Sequence, residues 1–211
     1  MPIFTIGHSN LSIDESMARL HQHGITAVAD VRSHPYSRYL PHFNKNSLEA
    51  SLKIANIRYV FLGRELGARP QDLNCYVGGK ALYERIASTP EFQRGIERLV
   101  EGEKKYNIAL MCAEKDPVTC HRAVLICQHL RKHNLEIKHI LTNGNLETQA
   151  ELEERLLVLH GLSESSLNQP VQLSLFDSTT PPLNLSRKER LKKAYFLQGD
   201  KIAYVDKNID K

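Results

Sequence analysis

Short apolar segments alternate with amphipathic segments along the first 160 residues, and this alternation is the feature that most constrains the fold. The segments IFTIG, ITAVADVR, RYVFLG, NIALMC and EIKHILTNG have the length and composition of buried strands. The stretches between them have the apolar spacing of helices. Strands that alternate with helices along a chain form a mostly parallel sheet covered by helices. We therefore predict a single three-layer α/β domain with a mostly parallel sheet.

Helix boundaries in the sequence support this prediction. Ser12 and Glu15 have the spacing of a capping box, and Gly24 is placed to end the first helix, LSIDESMARLHQHG. Thr89 followed by Pro90 is typical of a helix start. Further helices are predicted in SLEASLKIANI, GGKALYERIAS, CHRAVLICQHLRKH and LETQAELEERLLVLHG. These segments fill residues 1–161, which we assign to one domain.

The chain changes character after Gly161. Residues 162–184 are rich in Ser, Asn, Pro and Thr, a composition typical of a flexible linker. Residues 185–211 form a basic extension, in which we expect a short helix, SRKERLKKAYF, and a possible hairpin, YFLQGDKIAYV. From Asn184 to Lys211 there are eight Lys/Arg and four Asp/Glu, against 28 and 24 in the whole chain, so the net charge of +4 belongs to this end. This charge indicates an anionic partner.

The sequence carries no recognisable export or membrane signal. Its first residues, MPIFTIGHSN, lack the basic and long apolar regions of a signal peptide, and no apolar run reaches spanning length. We therefore expect a cytoplasmic protein. In such a protein the four cysteines are better interpreted as free thiols, ligands or catalytic groups than as a disulfide framework. We expect no cofactor.

Polar side chains follow the predicted strands at the points where the strands end. Open parallel sheets bind ligands at the carboxyl ends of their strands, where the loops into the helices converge. We therefore expect a functional site at this edge of the sheet. Its candidate catalytic residues are His8, Asp30, Cys112, Glu114, Cys120, His121 and Arg122, and its candidate substrate-binding residues are Ser9, Asn10, Arg32, Tyr36, Ser37, Arg38, Arg64 and Arg69.

The loop CAEKDPVTCHR holds the densest group of reactive side chains in the sequence. Cys120 comes at the start of the next predicted helix, where the positive end of the helix dipole lowers the pKa of a thiol. Arg122, in the first turn of that helix, suits a carboxylate or a phosphate. The loop therefore predicts a nucleophilic or redox-sensitive thiol, Cys120 or Cys112, beside an anion-binding arginine.

Other interpretations of these cysteines compete with the catalytic one. Cys112 continues an apolar strand and fits a small buried side chain equally well, and Cys127 lies on an apolar helix face. The spacing C-x7-C-H lacks the close cysteine pair of structural zinc sites, so we expect no metal. The thiol loops of phosphatases and rhodaneses need Cys and Arg in one tight turn, whereas Arg122 comes ten positions after Cys112 and two after Cys120.

Four motifs in order, TIGHSN, DVRSHPYSR, LGRELGARP and LMCAEKDPVTCHR, resemble the bacterial and archaeal family of domain of unknown function 488. The resemblance covers residues 3–160. It implies a compact α/β domain with an active site, and it leaves the reaction open. The positions that match the family's motifs are His8, Ser9, Asp30, Arg32, Cys112, Glu114, Cys120, His121 and Arg122.

A second resemblance concerns the pentapeptide QLSLF within the linker. It is similar to the peptide with which many bacterial DNA-maintenance proteins bind the sliding clamp, and its residues are Gln172, Leu173, Ser174, Leu175 and Phe176. A flexible segment that presents a glutamine for polar contacts and three apolar side chains for pockets suits such docking. The resemblance implies the clamp as a partner, although a chance match or an edge strand of the same domain would also explain the peptide.

These observations favour a DNA-associated enzyme for repair or base processing, such as damaged-base excision, recruited by the clamp. In this hypothesis the arginines hold phosphates, His8 or Asp30 acts with Glu114 in acid/base catalysis, and aromatic side chains stack on an extruded base. The aromatic candidates are Tyr36, Tyr39 and Phe43. The loops lack the paired carboxylates of two-metal nucleases, so base chemistry is favoured over backbone cleavage.

Two other function classes remain open from the sequence. The first is a cysteine-dependent enzyme that performs sulfur transfer or related thiol chemistry on a small molecule. The second is a non-catalytic nucleic-acid-binding adaptor whose site is an anion pocket. Adducts on Cys112 or Cys120 would identify the first class. A cellular effect that survives replacement of Cys120, His121 and Arg122 would identify the second.

Overall fold

The fold is built on one sheet in a computed structural model that describes residues 1–167 and 185–209. The sheet strands are β1 (Ile3–Gly7), β2 (Ala27–Asp30), β3 (Arg58–Phe61), β6 (Ile108–Cys112), β7 (Ile137–Ile140) and β8 (Leu146–Thr148), while β4 (Tyr76–Val77) and β5 (Lys80–Ala81) form a separate hairpin. The sheet order is β3-β2-β6-β1-β7-β8, and every pairing is parallel except that of β8 with β7. The predicted α/β class with a mostly parallel sheet is confirmed.

Helices cover this sheet, and several begin at the caps that the sequence predicts. The helices are α1 (Ile13–Gln22), α2 (Lys45–Ile54), α3 (Gly63–Leu66), α4 (Tyr83–Ala87), α5 (Pro90–Glu103), α6 (Gln128–Leu130), α7 (Gln149–Leu159), α8 (Glu164–Leu167) and α9 (Arg187–Ile202). Ser12 and Glu15 form the predicted capping box of α1, and Thr89 caps α5 with Pro90 at its first position. None of the helices in the described residues is long and apolar enough to cross a membrane.

The central strands are buried on both faces, which gives the three layers. In β6, Leu110 and Cys112 pack on the side of α3 and α5, whereas Ala109 and Met111 pack on the side of α1 and α2. Alternate residues of a strand point to opposite faces, so a strand between two helical layers is apolar throughout. The side chain of Cys112 therefore projects towards the layer that contains α3 and α5.

The C-terminal segment contains one long helix, and the predicted hairpin in YFLQGDKIAYV is wrong. Helix α9 continues to Ile202 because Leu191, Tyr195 and Gln198 lie on one buried face at helical spacing. This face packs on α7, on the 3₁₀ turn Pro117–Thr119 and on the π-helix Arg122–Cys127 that precedes α6, and Gln198 Nε2 donates to the carbonyl of Val118 at 2.9 Å. The basic extension thus lies against the α/β core, with its last turns in the position where a hairpin was expected.

Two other local predictions are corrected. The segment GGKALYERIAS begins as the β4–β5 hairpin, because Gly78 and Gly79 adopt positive φ angles of 54° and 69° and turn the chain; only its second half is helical. The start of LETQAELEERLLVLHG is strand β8, and Thr148 caps the helix that follows.

The predicted linker is described only at its start. Leu162 is buried against α7, and α8 follows it. Residues 168–184, including the clamp-like peptide Gln172 to Phe176, lie outside the described residues. The division into segments 1–161, 162–184 and 185–211 therefore stays a prediction.

Candidate functional site

The candidate site lies at the carboxyl ends of three neighbouring strands, β2, β6 and β1. Gly7 pairs with Cys112, and Asp30 pairs with Met111, so the residues that follow these strands meet at one edge. The two loops beyond β1 and β6 continue the pairing, since the amide of His8 donates to the carbonyl of Cys112 at 2.9 Å. The sheet order, which the sequence does not state, thus brings together residues more than 80 positions apart.

A glycine is required where these two loops touch. A Cβ atom at Gly7 would lie 1.8 Å from the carbonyl oxygen of Glu114 and 3.1 Å from a guanidinium nitrogen of Arg122. Such distances are far below van der Waals contact, so any side chain at Gly7 would displace the main chain of the loop. Gly7 therefore fixes how closely the loop between Cys112 and Cys120 approaches the sheet.

Four reactive side chains lie close together at the end of β6 and in the loop that follows it: Cys112, Glu114, Cys120 and His121. The Sγ atom of Cys112 donates a hydrogen bond to Oε2 of Glu114 at 2.9 Å, and the Sγ atom of Cys120 lies 3.0 Å from the same oxygen. The Nδ1 atom of His121 lies 3.7 Å from Cys112 Sγ and 4.0 Å from Cys120 Sγ. Both cysteines and His121 are buried, whereas Glu114 reaches the surface. The cluster is therefore open to solvent on the side of Glu114.

The main chain of β2 orients the imidazole of His121. Its Nε2 atom lies 3.1 Å from the carbonyl oxygen of Val31, which can only accept a hydrogen bond. The proton of the neutral ring is therefore on Nε2, and the lone pair of Nδ1 points to the two thiols. The sequence placed His121 in the site but held no signal for this partner, because Val31 contributes only a main-chain atom.

Arg122 binds the main chain of this loop from its buried side. It is fully buried, and its guanidinium donates to the carbonyl oxygens of Glu114 at 2.7 Å and Lys115 at 3.3 Å and to the hydroxyl of Thr5 at 3.4 Å. The expected role of Arg122 in binding an anion stays a prediction; in this structure three of its five N–H groups donate to these acceptors, and the side chain is buried. Arg122 shapes the loop that carries the reactive groups.

An ion pair between Asp116 and Arg155 fixes the solvent-facing part of the loop. Asp116 accepts from Arg155 at 2.9 and 3.1 Å, and Arg155 also donates to Glu147 on β8. A carboxylate oxygen of Asp116 caps the short 3₁₀ turn Pro117–Thr119 through the amide of Val118. This turn reverses the chain, and so returns Cys120 to the end of the strand that carries Cys112.

The two thiols of the cluster differ in their pKa values. Burial raises the pKa of Cys112 well above the ordinary thiol value, and its hydrogen bond to Cys120 adds to the rise. Burial also acts to raise the pKa of Cys120, but the hydrogen bond from Cys112 and the charge of Arg122 outweigh it and hold this pKa well below the ordinary value. Burial and the charge of Cys120 raise the pKa of Glu114. The loop thus favours one thiolate, on Cys120.

A buried ion pair forms the second part of the site. Asp30 accepts from Arg32 through Nε at 2.9 Å and NH2 at 2.6 Å, and the hydroxyl of Tyr59 donates to Asp30 at 2.9 Å. The pair is nearly inaccessible, with 0% and 6% of the two side chains exposed. Asp30 is therefore engaged on both oxygens, and it positions Arg32 beside His8.

His8 completes this part of the site as a neutral imidazole. Its Nδ1 atom donates to the carbonyl of Ser9 at 3.1 Å, which leaves Nε2 to accept from Arg32 at 3.3 Å. The ring stacks on Phe43 with centroids 4.2 Å apart. Burial, followed by the charge of Arg32, lowers the pKa of His8 to about 4. Phe43 is fully buried beneath His8, so the expectation that it stacks on a base is corrected.

The loops after β2 and β3 form the exposed rim of this edge. Tyr36 and Tyr39 are 73% and 88% exposed. The remaining exposed candidates are Asn10, Arg38, Arg64 and Arg69. Ser33 Oγ accepts from the amide of Arg69 at 3.0 Å and so joins the two loops. Ser37 has a structural role in a turn, since its hydroxyl accepts from Leu40.

Two tyrosines near the site are absent from the residues expected from the sequence. Tyr59 bonds Asp30, and Tyr83 on α4 lies close enough to the cluster that the charges of Cys120, Glu114 and Cys112, after burial, raise its pKa. Tyr59 belongs to the strand next to β2, a neighbour that a correct strand order would reveal. Tyr83 has no such signal, because the path of the chain between β3 and α5 decides its position.

Comparison with known proteins gives one match. The model of a family described as domain of unknown function DUF488 matches residues 12–128. This range includes Asp30, Arg32 and the whole loop from Cys112 to Arg122. Comparisons with curated proteins and with solved structures give no match.

Proposed function

The chain belongs to the family described as domain of unknown function DUF488, whose description assigns no reaction, and we propose from the site itself that it is an enzyme that processes bases in DNA. The observation that carries this proposal is a largely buried polar cluster at the edge of the sheet whose neighbouring loops present exposed tyrosines and arginines. Enzymes that act on a base in DNA need both features, because the target atom must leave the stack and the backbone must be held.

The rim supplies the groups that hold DNA. Tyr36 and Tyr39 present exposed rings, which stack on bases of any sequence, and Arg38 lies between them in the chain. Arg64 and Arg69 add charge on the adjoining loop, and charges of this kind bind phosphate without reading sequence. This rim therefore favours a nucleic acid over a small neutral substrate.

The polar cluster at the end of β6 supplies the group that acts on the base. Glu114 has the only carboxylate of the loop cluster, and it reaches the surface. In this position Glu114 exchanges a proton with a ring nitrogen or an exocyclic group of a base. At the same edge of the sheet, the buried pair of Asp30 and Arg32 positions neutral His8.

A panel of duplexes tests this function. The full chain is incubated with damaged, modified and mismatched DNA, and released or altered bases are measured by mass spectrometry. We expect product from at least one duplex, and loss of that product in Glu114→Gln. The matched control is Glu91→Gln, because Glu91 is exposed on α5 and pairs only with Arg94 among the described residues. An active Glu114→Gln variant, or no product from any duplex, would reject the proposal; adducts on Cys120 in its place would support thiol chemistry.

Recruitment by the sliding clamp is a separate part of the proposal. It rests on the pentapeptide Gln172 to Phe176, which carries three apolar residues in a polar segment. Double replacement of Leu175 and Phe176 by Ala should abolish binding to a bacterial clamp in a pull-down with purified proteins. Val171→Ala is the matched control, since Val171 adjoins the pentapeptide and lies outside it. Binding that survives the double replacement would show that this peptide is not the contact.

A further inference from the structure

We infer that Cys112, Cys120, His121 and Glu114 form a binding site for one zinc ion. The candidate donor atoms of these four residues all lie within 4.8 Å of one another. The sequence spacing argued against zinc, because no close cysteine pair is present. The structure supplies the proximity by another route, since the 3₁₀ turn Pro117–Thr119 folds Cys120 and His121 back onto the end of β6.

The distances fit a tetrahedral ion. With zinc–sulfur bonds of about 2.3 Å and zinc–nitrogen or zinc–oxygen bonds of about 2.0–2.1 Å, the tetrahedron edges that include a sulfur are about 3.5–3.8 Å long. The two sulfur–nitrogen distances, 3.7 Å for Cys112 and 4.0 Å for Cys120, are close to this length. The sulfur–oxygen distances to Glu114 are 2.9 and 3.0 Å, those of hydrogen bonds, and must lengthen by about half an ångström when an ion replaces the protons.

The imidazole is held in the orientation and tautomer that a metal requires. Nε2 of His121 donates to the carbonyl of Val31 at 3.1 Å, which leaves the unprotonated Nδ1 facing both sulfurs. A second partner of this kind is the usual companion of a metal-binding histidine, because it fixes the ring and raises its basicity. The hydrogen bond lies on the side of the ring remote from the cluster, so metal binding leaves it intact.

The chemistry of the donors selects the ion. Two thiols and an imidazole are soft or borderline ligands, which suit zinc and disfavour magnesium and calcium. Two thiolates and a carboxylate around a divalent ion leave one net negative charge, and buried Arg122 supplies a positive charge behind the loop. Cys112, Cys120 and His121 are the three buried ligands, and Glu114 occupies the fourth position from the exposed side. Water or a substrate atom can replace Glu114 at this fourth position, which leaves the carboxylate beside the ion and able to exchange a proton.

The inference concerns the same loop as the proposed function but does not depend on it. Zinc binding is measured without DNA, and base processing is measured without regard to metal content. A chain that binds zinc and leaves all duplexes unchanged would contradict only the function. A chain that processes DNA and binds no zinc would contradict only this inference.

Metal analysis of the full chain tests the site. The purified protein is stripped with a chelator under reducing conditions, loaded with zinc chloride, desalted and analysed by mass spectrometry, and a parallel sample is loaded with cobalt(II). We expect one zinc per chain, and a cobalt spectrum with thiolate charge-transfer bands and the intense ligand-field bands of tetrahedral coordination. Substoichiometric zinc, or a cobalt spectrum without thiolate bands, would overturn the inference.

Substitutions locate the ion. Cys112→Ser, Cys120→Ser and His121→Gln should each weaken zinc binding by at least about 100-fold. Glu114→Gln should weaken it by about 10-fold, because three ligands remain. Cys127→Ala is the matched control, since Cys127 is another buried thiol and is not one of the four donor residues, and it should keep one zinc. Circular dichroism checks folding, and a folded Cys112→Ser or Cys120→Ser variant with unchanged zinc affinity would refute the site.

Discussion

The guanidinium of Arg122 donates a 2.7 Å hydrogen bond to the main-chain carbonyl oxygen of Glu114, eight residues earlier in the chain. A side chain that follows the loop therefore fixes the main chain that begins it. Because Arg122 also reaches Lys115 and Thr5, it joins the loop to the first strand of the sheet. A buried cation therefore holds the main chain of this loop, in addition to the contacts among the reactive groups themselves.

Removal of this cation should destabilise the fold. Arg122→Met keeps much of the volume but leaves the carbonyls of Glu114 and Lys115 buried without their donor. We expect the free energy of unfolding to fall by about 3 kcal/mol, since each orphaned polar group costs about 1–3 kcal/mol. Urea unfolding followed by circular dichroism measures the change. The control Arg94→Met, at an exposed arginine on α5, should change it by less than about 0.5 kcal/mol.

The close contact of Gly7 with the loop predicts a second large loss of stability. The methyl group of Gly7→Ala would meet the carbonyl oxygen of Glu114 at 1.8 Å, so main chain must move. We expect a loss of about 3 kcal/mol or more in unfolding free energy, at the upper end of overpacking effects. The comparison is Gly102→Ala, where the added methyl meets only the end of the Ile108 side chain at 3.0 Å. Equal stabilities of the two variants would contradict the close approach.

The buried ion pair should depend more on its carboxylate than on the tyrosine beside it. Asp30→Asn leaves the charge of Arg32 buried with a weaker partner, and we expect a loss of about 3–5 kcal/mol. Tyr59→Phe removes one hydrogen bond to Asp30 and should cost about 1 kcal/mol. Thermal or urea unfolding measures both values. A Tyr59→Phe variant that is the less stable of the two would refute this order.

Acid should destabilise the protein through a buried histidine on β7. Burial and then the charge of Arg122 lower the pKa of His139 to about 4, while Thr5 and Gln149 bond its neutral ring. The ordinary value of 6.5 applies when the chain is unfolded, so the unfolded state binds the extra proton first and stability falls as pH drops from 6.5 to 4. Between pH 7 and pH 5 this histidine should remove about 2 kcal/mol.

Unfolding free energies of the protein and of His139→Gln at the two pH values isolate this contribution. Glutamine retains hydrogen-bonding capacity and does not titrate, so the variant should lose less stability between pH 7 and pH 5. A part of the loss should remain, because the pKa of His8 is also lowered to about 4. The same pH dependence in both proteins would exclude His139 as its source.

The exposed ring of Tyr39 should contribute to DNA binding. Tyr39→Ala removes a surface that stacks on a base, and we expect about a 10-fold weaker affinity for single-stranded DNA, since such contacts are worth about 1–3 kcal/mol. Fluorescence anisotropy with a labelled oligonucleotide measures it. Phe196→Ala is the control, because Phe196 is an exposed aromatic residue on α9, away from this rim. Equal affinities of Tyr39→Ala and the unmodified chain would remove Tyr39 from the interface.

Local sequence signals predicted those parts of the fold that depend on local physics. The capping box of α1, the start of α5 and the apolar central strands follow from short stretches, because their signals lie within one element. The end of α9 did not, since Tyr195 and Gln198 are buried by α7 and by Val118, which come from distant parts of the chain. Strand β8 was missed for the same reason, because it exists only by pairing with β7.

The sequence by itself determined which polar residues follow the strands of the sheet, since the ends of parallel strands collect these groups at one edge whatever the strand order. Only the tertiary structure decided what those residues do. The strand order placed β6 between β2 and β1, which buried Arg122 beneath the loop and aligned His121 with Val31. Burial and hydrogen-bond partners set the charge and direction of each group, and both come from elements that are remote in the chain.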